Sequence, residues 1–141
     1  MKILDGKKIS DDIKDEISDD VIKLLKSGGN KPHLCAILVG NNGASQTYVN
    51  AKVKACEKVG FNSTLIHLEE DLSEKDLLDK IDMVNHDKDI DGLIVQLPLP
   101  NHVDENKVTQ SIDPKKDVDG FHPSNIGRMV LNLKTYLPAT P

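Results

Sequence analysis

Three stretches carry side chains whose types break the pattern of their surroundings. The first is Ser45-Gln46-Thr47-Tyr48-Val49-Asn50-Ala51-Lys52. At about 100° per residue, Gln46, Thr47, Asn50, Lys54, Glu57 and Lys58 fill one polar arc, and Val49, Val53, Ala55, Cys56 and Val59 the other. Lys52 falls in the apolar arc as its single charged residue, with Tyr48 one turn earlier. A lysine on a buried face loses hydration, which lowers its pKa and suits it to acid–base work near neutral pH. The alternative is a stem that covers apolar surface while the ammonium reaches water. Tyr48 offers a planar ligand a ring face and a hydroxyl. The second stretch is Leu93-Ile94-Val95-Gln96-Leu97-Pro98, an apolar strand with one amide near its carboxyl end. An unmet buried amide costs about 1–3 kcal/mol, so Gln96 is either bonded to a neighbouring loop or placed for a ligand. The third is Lys116-Asp117-Val118-Asp119-Gly120, whose paired carboxylates suit turn formation, ligand contact or, least well, a metal.

These residues need a scaffold, and the patterning describes one. Ile9, Ile13, Ile17, Val21, Leu24 and Leu25 recur at helical spacing before Gly28-Gly29. Strands are expected over 34–39, 64–68 and 93–97. Helices are expected over 44–59, after Ser73 with Leu77, Leu78, Ile81 and Val84 inward, over 105–111, and over 125–131. Strands alternating with helices imply an α/β fold, a three-layer αβα domain with a mainly parallel sheet. In such sheets ligands bind outside the carboxyl ends of the strands, which is where Gln96 stands.

The chain has 141 residues, a net charge of -5 and an aromatic content of 3%. The acidic balance argues against a nucleic-acid partner. No apolar run approaches the ~20 residues of a membrane span, and the start lacks a signal peptide. Cys35 and Cys56 fit a reduced core, which points to the cytoplasm. His33, His67, His86, His102 and His122 have no ligand spacing, so no metal is expected. Gly40-Asn41-Asn42-Gly43 is not the Gly-x-Gly-x-x-Gly of a dinucleotide site. A flavodoxin-like signalling domain would want an acidic residue after the first strand, where Gly40-Asn41-Asn42 stands instead.

Taken together, Ser45-x-x-Tyr48-Val49-x-x-Lys52, Val95-Gln96-Leu97-Pro98-Leu99-Pro100, Lys116-Asp117-Val118-Asp119-Gly120, Asn125-x-Gly127-Arg128 and Pro138-x-Thr140-Pro141 resemble the methylenetetrahydrofolate dehydrogenase/cyclohydrolase (FolD) family, in order and across nearly the whole chain. The resemblance implies that residues 1–141 are a folate-binding catalytic domain, with an NADP-binding Rossmann domain expected after Pro141. It implies a cytoplasmic, homodimeric full-length enzyme of one-carbon metabolism, a fragment that could be monomeric, and a small-molecule folate substrate. The enzyme would oxidise 5,10-methylenetetrahydrofolate with NADP, then hydrolyse the methenyl product to 10-formyltetrahydrofolate. Lys52 matches the catalytic lysine and Gln96 the glutamine bonded to it. Tyr48 matches the tyrosine against the folate, Asp119 the aspartate that anchors the pterin, and Val95, Leu97 and Pro98 the wall beside the ring. Gly43 departs from a frequent proline and Ala139 from a frequent cysteine. A folate-binding module without turnover is the alternative for this fragment. Lys52 lies roughly 13 Å into its helix, so spacing alone does not bring it to Gln96.

Overall fold

The computed structural model describes residues 5–139. The chain start and the final Thr140-Pro141 of the last motif lie outside the described residues. The elements are α1 (Gly6–Lys26), β1 (His33–Val39), α2 (Gly43–Val59), β2 (Asn62–Leu68), α3 (Glu74–His86), β3 (Gly92–Val95), α4 (Glu105–Ser111) and α5 (Pro123–Val130). The sheet is parallel, in the order β2-β1-β3, with Ile37 opposite Ile66 on one side and Val95 on the other. This is the α/β architecture expected.

The central strand explains the layering. A run that is apolar at every position can be buried on both faces only if helices cover both. Cys35, Ile37 and Val39 join Leu77, Ile81 and Val84 of α3 and Val108 of α4 in one core, while Ala36 and Leu38 join Val49 of α2 in another. Both cysteines are free and buried, and burial pushes the Cys35 thiol up to about 11.

Local chemistry sets the element ends. Asn42 Oδ1 accepts the Ala44 and Ser45 amides at 3.0 and 3.1 Å, capping α2. Gly60 closes the helix at φ 85°, a conformation that favours glycine. Ser73 caps α3, accepting the Asp76 amide and donating to its carboxylate.

Two expectations need correction. The third strand ends at Val95 rather than Leu97. The Gln96 amide still donates to Ile37 O at 2.9 Å, but Pro98 has no N–H with which to continue. The apolar stripe of α1 is largely open: only Val21 is buried, and Ile9, Ile13, Ile17, Leu24 and Leu25 are exposed. The reason is position, since α1 packs on α2 rather than on the sheet.

Burial should therefore separate two aliphatic truncations. Leu77→Ala is expected to cost about 2–5 kcal/mol, and Ile13→Ala no more than about 0.5 kcal/mol, as measured by urea unfolding.

Candidate active site

Helix α2 carries Tyr48 and Lys52 one turn apart, hence on one face. Their surroundings differ from the expectation of a dry, buried pair. Tyr48 is 65% exposed, so its ring is not part of the core. The Lys52 side chain is 32% exposed and its Nζ lies 3.9 Å from Asp119 Oδ1. The buried spine of α2 is instead Ser45, Val49, Cys56 and Val59. Lys52 stands over that spine by helical spacing, but its long stem lifts the ammonium to the edge where Asp119 waits.

Asp119 is positioned by the loop between α4 and α5. Its neighbour Asp117 is 2% exposed. A carboxylate so far from water needs donors, and Asp117 has three: the amides of Phe121 (3.3 Å) and His122 (2.8 Å) and the Asn125 Nδ2 (2.8 Å). Asp117 is thus the turn former of the pair, and Asp119 is the carboxylate left facing outward. Burial raises the Asp119 pKa above the usual carboxylate range. Lys52 opposes that shift, and the nearby Asp117 charge adds to it.

Gln96 follows β3 directly. Its Nε2 donates to Leu97 O at 2.7 Å, and its Oε1 is buried without a partner. The hydrogen bond from Gln96 to Lys52 that the resemblance implied is not formed; the ammonium faces Asp119 instead. Val95 and Leu97 share a small cavity, about 20 Å³, with Asp119 and Phe121. Pro98 lines a separate hollow of about 310 Å³ with Gly40, Asn42 and Glu70. The structure therefore groups Lys52, Asp119, Val95 and Leu97, leaves an orphan acceptor on Gln96, places Tyr48 in solvent and sets Pro98 on another wall. A hollow of about 660 Å³ beside Arg128, Lys134 and Tyr136 holds none of these residues. Sequence reasoning passed over Phe121. The available signal was its rarity, one of two phenylalanines in the chain, two residues after Asp119.

The β1–α2 turn, Gly40-Asn41-Asn42-Gly43, lacks the Gly-x-Gly-x-x-Gly spacing of a dinucleotide site. Gly40 has φ +74°, but a Cβ built there would meet the Glu70 side chain at 3.2 Å. A larger residue at position 40 would therefore crowd Glu70. Among the described residues no group of three His, Cys, Asp or Glu could hold a metal, and no helix is long and apolar enough to cross a membrane.

Comparison with known proteins bears on these features. A family model described as tetrahydrofolate dehydrogenase/cyclohydrolase, catalytic domain, matches residues 4–119. The bifunctional protein FolD of Cytophaga hutchinsonii is 64% identical over 141 residues, covering 100% of this chain and 49% of the relative. That of Flavobacterium johnsoniae is 57% identical and is covered to 48%. Among solved structures, FolD from Campylobacter jejuni superposes with a TM-score of 0.95 at 47% identity, over 100% of this chain and 50% of that one. The methylenetetrahydrofolate dehydrogenase of the silkworm Bombyx mori gives 0.97 at 41% identity, over 99% and 48%. A Trypanosoma brucei enzyme of the same name type, solved with NADP cofactor and inhibitor, gives 0.89 at 29%, over 95% and 46%. The chain spans about half the length of the curated relatives it matches.

The Lys52–Asp119 contact makes a titration prediction. Because the folded-state pKa of Asp119 lies above the ordinary 3.8, the native state holds its proton after the unfolded chain has lost it. This group's contribution to stability therefore falls as pH rises from 3.8 through the folded value. Lys52→Met removes the cation that opposes the shift. The carboxyl-carbon NMR titration of Asp119 should then move to still higher pH; a move downward would refute the assigned contact.

Proposed function

The chain belongs to the tetrahydrofolate dehydrogenase/cyclohydrolase catalytic-domain family, and from that premise we propose that it supplies the folate-processing site of a longer bifunctional enzyme. In that enzyme 5,10-methylenetetrahydrofolate is oxidised to the methenyl form with NADP. Water then opens the methenyl bridge to give 10-formyltetrahydrofolate. No Gly-x-Gly-x-x-Gly motif stands in this chain, which supports assigning NADP to the half of the relatives' length that this chain does not span. The full-length protein is, on the same reading, a cytoplasmic homodimer.

The observation that carries the proposal is the Lys52 ammonium 3.9 Å from the Asp119 carboxylate, at the carboxyl end of the sheet. A pterin ring presents N–H donors that a carboxylate accepts well. Docked on Asp119, they would displace Lys52 as its partner and release the amine toward the reacting carbon. In its neutral form, after the ammonium has given its proton to solvent, the amine takes a proton from the attacking water as the C–O bond forms, and returns one to the departing ring nitrogen as the C–N bond breaks. The hydrolysis as a whole releases one proton. Gln96 Oε1, buried and without a donor, is the acceptor to which the freed Lys52 can turn, which would hold its orientation. Val95 and Leu97 wall the ring beside Asp119, and Tyr48 closes on its face once a ligand covers that ring's exposed surface.

A second reading applies to the 141 residues by themselves: a module that binds folate without turning it over. The lack of a dinucleotide motif in the chain favours it.

Two measurements test these readings. In the full-length protein, Lys52→Ala should lower methenyltetrahydrofolate hydrolysis by about 10²-fold or more, with the circular-dichroism spectrum and melting temperature unchanged; near-normal hydrolysis would overturn the role. The 141-residue chain, titrated with a reduced folate, should bind it and show no NADP-dependent absorbance change. Turnover there would contradict the assignment of the nucleotide elsewhere.

A further inference from the structure

Among the described residues, none forms a hydrogen bond that fixes the Asp119 carboxylate. Its place depends on its two neighbours along the chain. On one side, Asp117 is locked by the Phe121 and His122 amides and by Asn125 Nδ2. On the other, Gly120 has φ +73°, and a Cβ built there would meet Leu137 C and Pro138 N at 2.9 Å, so the backbone of 137–138 lies directly on it. The segment 133–138 therefore forms one wall of the turn that carries Asp119.

A single buried side chain joins the two sides. Asn125, 4% exposed, donates through Nδ2 to both Asp117 Oδ2 (2.8 Å) and Pro114 O (2.9 Å), and its Oδ1 accepts the Thr135 hydroxyl at 2.7 Å. The same segment is held to α5 by Arg128, whose Nε and Nη2 donate to Lys134 O at 3.1 and 2.9 Å. Thr135 is thus the point where the departing segment is pinned to the Asp117 carboxylate. The Lys52–Asp119 separation of 3.9 Å leaves little tolerance, since a misplacement of about 1 Å in such a site can cost 10²-fold.

We infer that Thr135 and Asn125 are positioning residues for Asp119, acting through Asp117 and Gly120 to set where that carboxylate meets the substrate. The inference rests on the folate reading of the site, because it takes Asp119 as the substrate's anchor. Thr135 touches neither Lys52 nor the cavity beside Val95, so its effect should pass through Asp119 alone.

The test is a double-mutant cycle in the full-length enzyme, reading kcat and KM for methylenetetrahydrofolate separately. Thr135→Val keeps the shape and removes the donor. It should raise KM about 3- to 10-fold, the size of one lost hydrogen bond, with kcat within about two-fold. Thr135→Ser should restore the parent values. In an Asp119→Asn background, Thr135→Val should change nothing further, because the group it positions is gone. An effect of Thr135→Val that adds in that background, one that serine fails to rescue, or an unchanged KM would overturn the inference while leaving the folate reading in place. If Asp119→Asn itself leaves KM unchanged, the folate reading of Asp119 fails, and this inference with it. Thr135→Ala repeats the cycle should the valine be poorly accommodated.

Discussion

A carboxylate that leaves water must be met by donors, and the loop after α4 is organised around that requirement. Asp117 is almost wholly enclosed, and three N–H groups from the following nine residues converge on it. Removing any one would leave the buried charge less well met, at more than the cost of an ordinary lost hydrogen bond. The loop consequently has one conformation open to it. Asp119, two residues on within the turn closed by the Gly120 amide donating to Asp117 O, comes within 3.9 Å of Lys52 on α2.

The sheet supplies the other half of the geometry. With β1 central, the chain leaves it toward β2 and later returns on its far side as β3. The connections after β1 and β3 depart in different directions, and a crevice opens beyond their carboxyl ends. Gln96 occupies that rim because it is the first residue past β3, still paired through its amide to Ile37 O. Its unpartnered carbonyl oxygen is tolerable at a binding rim, where a ligand or a moving ammonium can meet it, and would be a plain cost elsewhere.

Charge and burial are balanced at the Lys52–Asp119 pair. Partial burial disfavours the Asp119 anion, and the adjacent Asp117 charge disfavours it further, while Lys52 favours it. A pair of this kind, about a third exposed on each side, contributes little to stability. It is easily exchanged for other donors, which is a useful property for a group that must release a lysine when a ligand arrives.

Much of this was legible from residue order. The all-apolar runs at 34–39 and 93–95 announced strands covered on both faces. Ser73 marked a helix start through cap chemistry that operates over four residues, and the spacing of Tyr48, Lys52, Gln96 and Asp119 marked the family. Periodicity measures direction around a helix axis, not what stands opposite. It therefore put Lys52 and Tyr48 on the apolar side without revealing that the Tyr48 ring stays exposed, and it showed helical spacing in α1 without revealing that this helix packs on α2. The pairing of Lys52 with Asp119 rather than Gln96, the enclosure of Asp117 and its tie through Asn125 to Thr135 were decided only in three dimensions. They join residues distant along the chain, and which donor reaches which acceptor depends on the packing of whole elements, which no local rule encodes.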